Sequence, residues 1–117
     1  MIPAVTSAMQ GLQAYGTKLN SNANNIANAS TEGFKKTQVT LSEQAPQGVK
    51  ANAKIIDSPG NIRSVETTEG LQSVEFSNVD LTEELPDSLL NARFYQANLK
   101  SLQTAEEMTA SLLSIKA

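Results

Sequence analysis

Two stretches at opposite ends of the chain repeat apolar or small residues in alternating steps of three and four, the spacing that lines one face of an α-helix. The first is Ile2, Val5, Met9, Leu12, Gly16, Leu19, Ala23 and Ile26. The second is Leu81, Leu85, Leu89, Ala92, Tyr95, Leu99, Leu102, Ala105, Met108, Leu112 and Ile115. A helix is predicted over residues 4–28 and another over 80–117. Two such helices cover each other's apolar faces as an antiparallel hairpin, yet a lone pair leaves its outer flanks bare. The stripes therefore point to a helical hairpin that completes its core against neighbouring subunits.

Local chemistry marks where these helices begin and stop. Gly11 and Gly16 each cost a helix about 1 kcal/mol relative to Ala, which implies close backbone approach by a neighbour or a segment that is marginal until packed. Asn24, Asn25 and Asn28 compete with the backbone for hydrogen bonds, and Gly33 is free to take positive φ, so the first helix should end within SNANNIANASTEGF. Phe34 is placed to fold back as an apolar latch. The carboxamides read either as a polar helix end or as hydrogen-bonding surface for another subunit. Asn78 or Asp80 is positioned to cap the second helix, with Glu83 and Glu84 near its positive end. Pro86 lacks an amide hydrogen and predicts a kink or restart between Leu85 and Asp87.

Between the helices, VTL at 39–41, VKANAKIID at 49–57, IRSV at 62–65 and LQSVEF at 71–76 are short extended runs divided by turn residues. A hairpin is expected around Pro59-Gly60. The chain thus divides into an N-terminal helical segment 1–34, a short extended or β-hairpin connection 35–79, and a C-terminal helical segment 80–117. The fold class is mainly α, an antiparallel pair of long N- and C-terminal helices around that middle.

Composition narrows function. A single domain is expected of 117 residues, with a core built from aliphatic side chains because aromatics are 4% of the chain and Trp is absent. Nine Lys plus Arg against twelve Asp plus Glu give a formal charge of -3. This balance, with Lys35-Lys36 the one adjacent basic pair, argues against a nucleic-acid surface. With no Cys and no His, thiolate metal sites, disulfides and imidazole chemistry are excluded. Glu83, Glu84, Glu106 and Glu107 read as helix-surface charge, because adjacent residues on a helix do not face one another. No enzyme, cofactor or metal is expected. No run of 18 apolar residues is present for direct membrane insertion, and the start lacks the basic region of a secretory signal, so any export takes another route.

The N-terminal stretch SAMQGLQAYGTKLNSNANNIANASTEGFKK resembles the opening signature of the flagellar rod, hook and hook-associated family. The match falls on Gly11, Leu12, Leu19, Ala23 to Asn28, Thr31, Gly33, Phe34 and Lys35. SNVDLTEELPDSLLNARFYQANLKSLQTAEEM is similar to that family's closing signature, on Ser77 to Leu81, Glu84, Arg93, Tyr95 to Asn98, Lys100, Thr104, Ala105, Glu107 and Met108. The short middle is most like the small C-type proximal rod proteins. Departures from the pattern are Ser30, where asparagine is usual, Phe94, where alanine is usual, and Pro86, where a helix former is usual.

The resemblance implies a structural subunit of the bacterial flagellar basal-body rod, joined to other rod subunits and to itself through paired terminal helices. It also implies export through the flagellar type III apparatus and a place in the shaft crossing the periplasm. A non-polymerising junction or assembly adaptor is the alternative. Leu12, Leu19, Ile26, Leu99 and Leu102 are assigned to the helix seam. Asn24, Asn25, Asn28, Gln96 and Asn98 are assigned to contacts between subunits, and Phe34 and Tyr95 complete the expected interface set.

Overall fold

A computed structural model describes residues 2–116. Helix α1 (Ile2–Ala27) is followed by strands β1 (Thr37–Glu43), β2 (Val49–Ile55), β3 (Ile62–Thr67) and β4 (Gly70–Glu75), and then by helix α2 (Leu81–Lys116). The helices pack antiparallel within an elongated molecule measuring 80 × 23 × 19 Å. Its radius of gyration is 20.7 Å, where a compact chain of this size would have about 13 Å. The accessible surface is 8204 Å², against about 6,200 Å² for a compact monomer of this mass. The chain therefore leaves apolar surface in water that a globular chain would bury.

The helix pair has an unusual seam. On α1 it follows Ala8, Gly11, Tyr15, Lys18, Asn22 and Asn25, and on α2 Glu84, Ser88, Asn91, Tyr95, Asn98, Leu102 and Ala105, all buried or half-buried. Both tracks advance by alternating threes and fours, the period of a coiled coil. Apart from Leu102, however, their residues are small or polar. Among the described residues, the buried apolar side chains are Ala8, Ala14, Val39 and Ala105, and the largest fully buried side chains are Asn25 and Asn91.

The expected leucine seam is thus displaced by about one residue around each helix. Leu12, Leu19 and Ile26 flank the contact and are half-buried, Leu102 keeps a half-buried place on the seam, and Leu99 is 50% exposed. The physical reason is proximity. Gly11 lets the Asn98 side chain lie across α1 where a Cβ would collide with it, so that face of α1 receives an amide from α2 in place of leucine. Tyr15 meets Phe94 with ring centroids 5.1 Å apart at 38°, so the bulk that Phe94 adds is used in the helix pair.

Asp80 caps α2: its Oδ1 accepts from the Thr82 amide at 3.0 Å and from the Thr82 hydroxyl at 2.6 Å. The helix continues through Pro86 without the expected restart. Pro86 lies in the second turn, where the loss of one backbone bond to Thr82 leaves the rest of a long helix intact.

In the middle, β1 and β2 pair antiparallel from Thr37↔Ile55 to Glu43↔Val49, and β3 and β4 from Ile62↔Glu75 to Thr67↔Gly70. The first hairpin lies on α1 through buried Val39, whereas the second packs on neither helix. The hairpin expected around Pro59-Gly60 is not formed. The turns fall instead at 44–48, closed by Gln44 N–H to the Gly48 carbonyl at 3.0 Å, and at Thr68-Glu69. Pro59 and Gly60 join the two hairpins because side chains clamp that segment to the β4 exit: the Gly60 amide donates to Glu75 Oε1 at 2.9 Å, and Asn78 Nδ2 donates to the Ser58 carbonyl at 3.0 Å.

Two glycines predict opposite outcomes. At Gly16 a Cβ would sit 3.8 Å from Tyr95 Cε2, an ordinary contact, so Gly16→Ala should stabilise by up to about 1 kcal/mol through helix propensity. At Gly60 a Cβ would overlap the Phe76 carbonyl, which is backbone and cannot swing aside; Gly60→Ala should cost about 1–3 kcal/mol. Urea unfolding of the two variants beside the wild type checks both signs.

Candidate functional site

Three asparagines and two carboxylates join α1, α2 and β1 at the end of the rod nearest the hairpins. Asn22 Nδ2 donates to Glu84 Oε2 at 2.7 Å and to Asp87 Oδ2 at 3.0 Å. Its Oδ1 accepts from Asn91 Nδ2 at 2.7 Å, and the same Asn91 amide reaches Asp87 Oδ2 at 3.1 Å. Asn25 Nδ2 donates to Glu84 Oε1 at 3.1 Å and to the Thr37 carbonyl at 2.8 Å, while its Oδ1 accepts from the Thr37 amide at 3.0 Å. Asn25 therefore mimics a strand neighbour and fastens the first residue of β1 to α1. Ser21 Oγ adds a bond to the same Thr37 carbonyl at 2.9 Å.

Burial makes this network consequential. Asn25 and Asn91 are 1% exposed and Asn22 is 5% exposed. An amide in such a place is tolerated only when its donors are satisfied, since each orphaned group costs about 1–3 kcal/mol. All six amide N–H groups of the three asparagines have partners. The donors are spent within the chain, so the network acts as a positioning device.

Asn78 forms a second junction. Its Oδ1 accepts from the Lys36 amide at 2.7 Å, and its Nδ2 donates to the carbonyls of Ile56 at 2.8 Å and Ser58 at 3.0 Å. One side chain thereby gathers the approach to β1, the exit of β2 and the approach to α2. Beside it, Lys35 pairs with Glu75. The Lys35 hydrogen bond, then the Gly60 amide, then the lysine's charge hold the Glu75 carboxyl below the usual carboxylate range. Asp80 is likewise lowered by the Thr82 hydroxyl and amide.

The expected interface residues divide between outside and inside. Asn24, Gln96 and Leu99 are exposed. Leu12, Leu19, Ile26, Asn28, Phe34, Tyr95, Asn98 and Leu102 are half-buried. Asn25, expected between subunits, has its amide consumed inside this one. Asn28 folds onto its own helix, donating to the Asn24 carbonyl at 2.9 Å, and accepts from Thr31 Oγ1 at 3.1 Å. Asn98 turns back to the Phe94 carbonyl at 2.9 Å. Glu84 is not plain surface charge: it is half-buried and accepts from both Asn22 and Asn25. Sequence reasoning overlooked Asn22, Asn91 and Asp87. Their signal was amides at helical spacing, Asn22-Asn25 on one helix and Asn91-Asn98 on the other, where apolar residues would be usual.

Large apolar side chains lie outside. On α2, Leu81, Leu85, Leu89, Leu90, Phe94 and Leu99 are 42–64% exposed, and Met108, Leu112, Leu113 and Ile115 are 54–82% exposed. A run of this extent on one helix marks an interaction surface.

These features coincide with regions shared by known proteins. The family model for the flagella basal body rod protein matches residues 6–35, and that for the flagellar basal body rod FlgEFG protein C-terminal region matches residues 71–115. The chain is 28% identical to the flagellar basal-body rod protein FlgC of Yersinia enterocolitica, with 92% of each chain covered. It is 32% identical to the flagellar basal-body rod protein FlgG of Bacillus subtilis over 62% of this chain and 33% of that one. To the flagellar hook protein FlgE of Treponema pallidum it is 39% identical over 38% of this chain and 10% of that protein.

Removing the Asn91 amide leaves Asn22 Oδ1 without its donor and takes one donor from Asp87. Asn91→Ala should therefore lower stability by about 1–3 kcal/mol in urea unfolding, far more than the same change at exposed Asn24. Acidification acts elsewhere. Because Glu75 and Asp80 are lowered in the folded state, their contribution is full above the ordinary carboxylate pKa and is lost as pH falls through the lowered values. Glu75→Gln should flatten the fall of the urea midpoint as pH drops below the ordinary glutamate value of about 4.3.

Proposed function

Because this chain belongs to the flagellar basal-body rod family, most like its C-type members, we propose that it is a structural subunit that polymerises through its paired terminal helices into the torque-transmitting shaft. Its location is the flagellar basal-body rod, and its partners are other rod and hook subunits. The observation that carries the polymerisation reading is the inverted distribution of side chains. Small and polar side chains make up most of the seam, whereas most of the leucines of α2 and Met108 are exposed.

A shaft under torque needs many interfaces loaded together, and a long helix presenting aliphatic residues on several sides supplies them. Covering one of these half-exposed leucines in an assembly contributes about 1 kcal/mol. The thin polar seam suits passage through the flagellar type III apparatus, because a subunit that defers most apolar burial to its final site is easily unfolded beforehand. Among the described residues no helix is long and apolar enough to cross a membrane.

Quantitative mass spectrometry of purified basal bodies tests the reading. Several copies per particle, enriched with other rod subunits, support a polymerised subunit. A single copy, or a stable one-to-one complex outside the particle, supports the junction or adaptor role, and absence from well-formed particles rejects the rod reading. Leu99 offers a sharper variant, since at 50% exposure its replacement leaves the subunit fold intact. Leu99→Asp should be exported at near wild-type level yet be missing from isolated rods; normal incorporation would refute a subunit contact at that position.

A further inference from the structure

α1 accompanies α2 only part of the way. The pairing runs from Asn22 beside Asn91, through Tyr15 beside Phe94, to Gly11 beside Asn98. It ends at an open apolar groove between Ala4 of α1 and Ala105 and Met108 of α2. Ala105 is buried, but Met108, Leu112 and Ile115 beyond it are 54%, 57% and 82% exposed. At about 100° per residue these three lie within about 80° of Ala105 around the helix, so they continue the face that α1 covers lower down. At the other end of α2, Leu81, Leu85 and Leu89 form a second stripe, 42%, 53% and 64% exposed, turned away from α1.

The phase between the stripes selects their partner. Leu85 and Leu112 are 27 residues apart, which is about 7.5 helical turns and about 40 Å along the axis. The half turn makes the stripes face opposite directions. Two surfaces at opposite ends that face opposite ways are brought into contact when one copy is simply translated along the other. A two-fold axis would instead place each stripe on itself. Translation yields a heterologous contact that does not close, the kind that builds filaments.

We propose that the Met108, Leu112 and Ile115 stripe docks on the Leu81, Leu85 and Leu89 stripe of a second copy of this chain, staggered by about 40 Å. The neighbour's α2 then continues the track that α1 occupies in the first copy. This assignment rests on the reading of the chain as a polymerising rod subunit and adds which faces meet. Continuity with the α1–α2 seam favours this occupant, because the groove beginning at Ala4 leads straight into the exposed stripe.

The chain has no cysteine, so introduced thiols report without background. Two differently tagged copies, one Leu85→Cys and the other Leu112→Cys, are expressed together, and isolated basal bodies are treated with a short bismaleimide. The expected product has twice the chain mass, carries both tags, and is at least about tenfold more abundant than from either variant alone; Leu89→Cys with Ile115→Cys should behave alike. Normal incorporation of the copies without that product overturns the docking alone, as does self-linking of Leu112→Cys by itself or linkage only to a different rod protein. Absence of even the wild-type chain from basal bodies overturns the rod reading and the docking with it.

Discussion

The buried amide network is the contact on which the arrangement of the other elements depends. Asn22, Asn25 and Asn91 are the side chains a helix interface would ordinarily exclude, and here they occupy its centre. Each hydrogen bond adds only about 1 kcal/mol net, but misalignment would strand several buried donors and acceptors together. That asymmetry gives the network its specificity. A slip of one turn along α2 would set Asn22 against Asp87 and Ser88 or against Phe94 and Tyr95 in place of Asn91, and would part Glu84 from the amides of Asn22 and Asn25. A uniformly aliphatic seam would tolerate several registers, as polar residues at coiled-coil core positions show by excluding them.

A single register of α1 on α2 matters beyond the pair itself. It sets where Asn25 meets Thr37, and therefore where β1 begins and how the first hairpin lies on α1. It also sets how far α2 projects past the α1–α2 contact and which of its faces remain bare. Asn78 extends the same logic to the connecting segments, holding three main-chain groups with one side chain. The second hairpin is different. It is tied at its base through Glu75 and projects with Ile62 and Leu71 at 68% and 76% exposure, a two-stranded element that gains stability from a neighbour.

Close helix approach has an energetic consequence for the subunit. Small residues in the seam leave little apolar area to bury, so the isolated chain retains only part of the stabilisation that its leucines could supply. In the proposed assembly the remainder would be realised at interfaces between subunits, where area removed from water contributes about 25 cal/mol per Å². Folding and assembly would thereby be coupled.

The periodic stripes, Asp80 as a cap and the turn-rich middle were sufficient to read two terminal helices and a short extended connection, because these depend on local spacing and backbone chemistry. The paired end signatures likewise carried the family. Which face of each helix turned inward was not legible: hydrophobicity pointed to Leu12, Leu19 and Leu99, whereas close approach at Gly11 selected the adjacent face of alanine and asparagine. The hairpin expected at Pro59-Gly60 failed for a similar reason, since clamping by Glu75 and Asn78 comes from residues remote in sequence. Composition and periodicity determine which segments become helix or strand. Only tertiary structure decides which surfaces meet, because a buried hydrogen-bond network depends on geometry across elements and has no signature within any one of them.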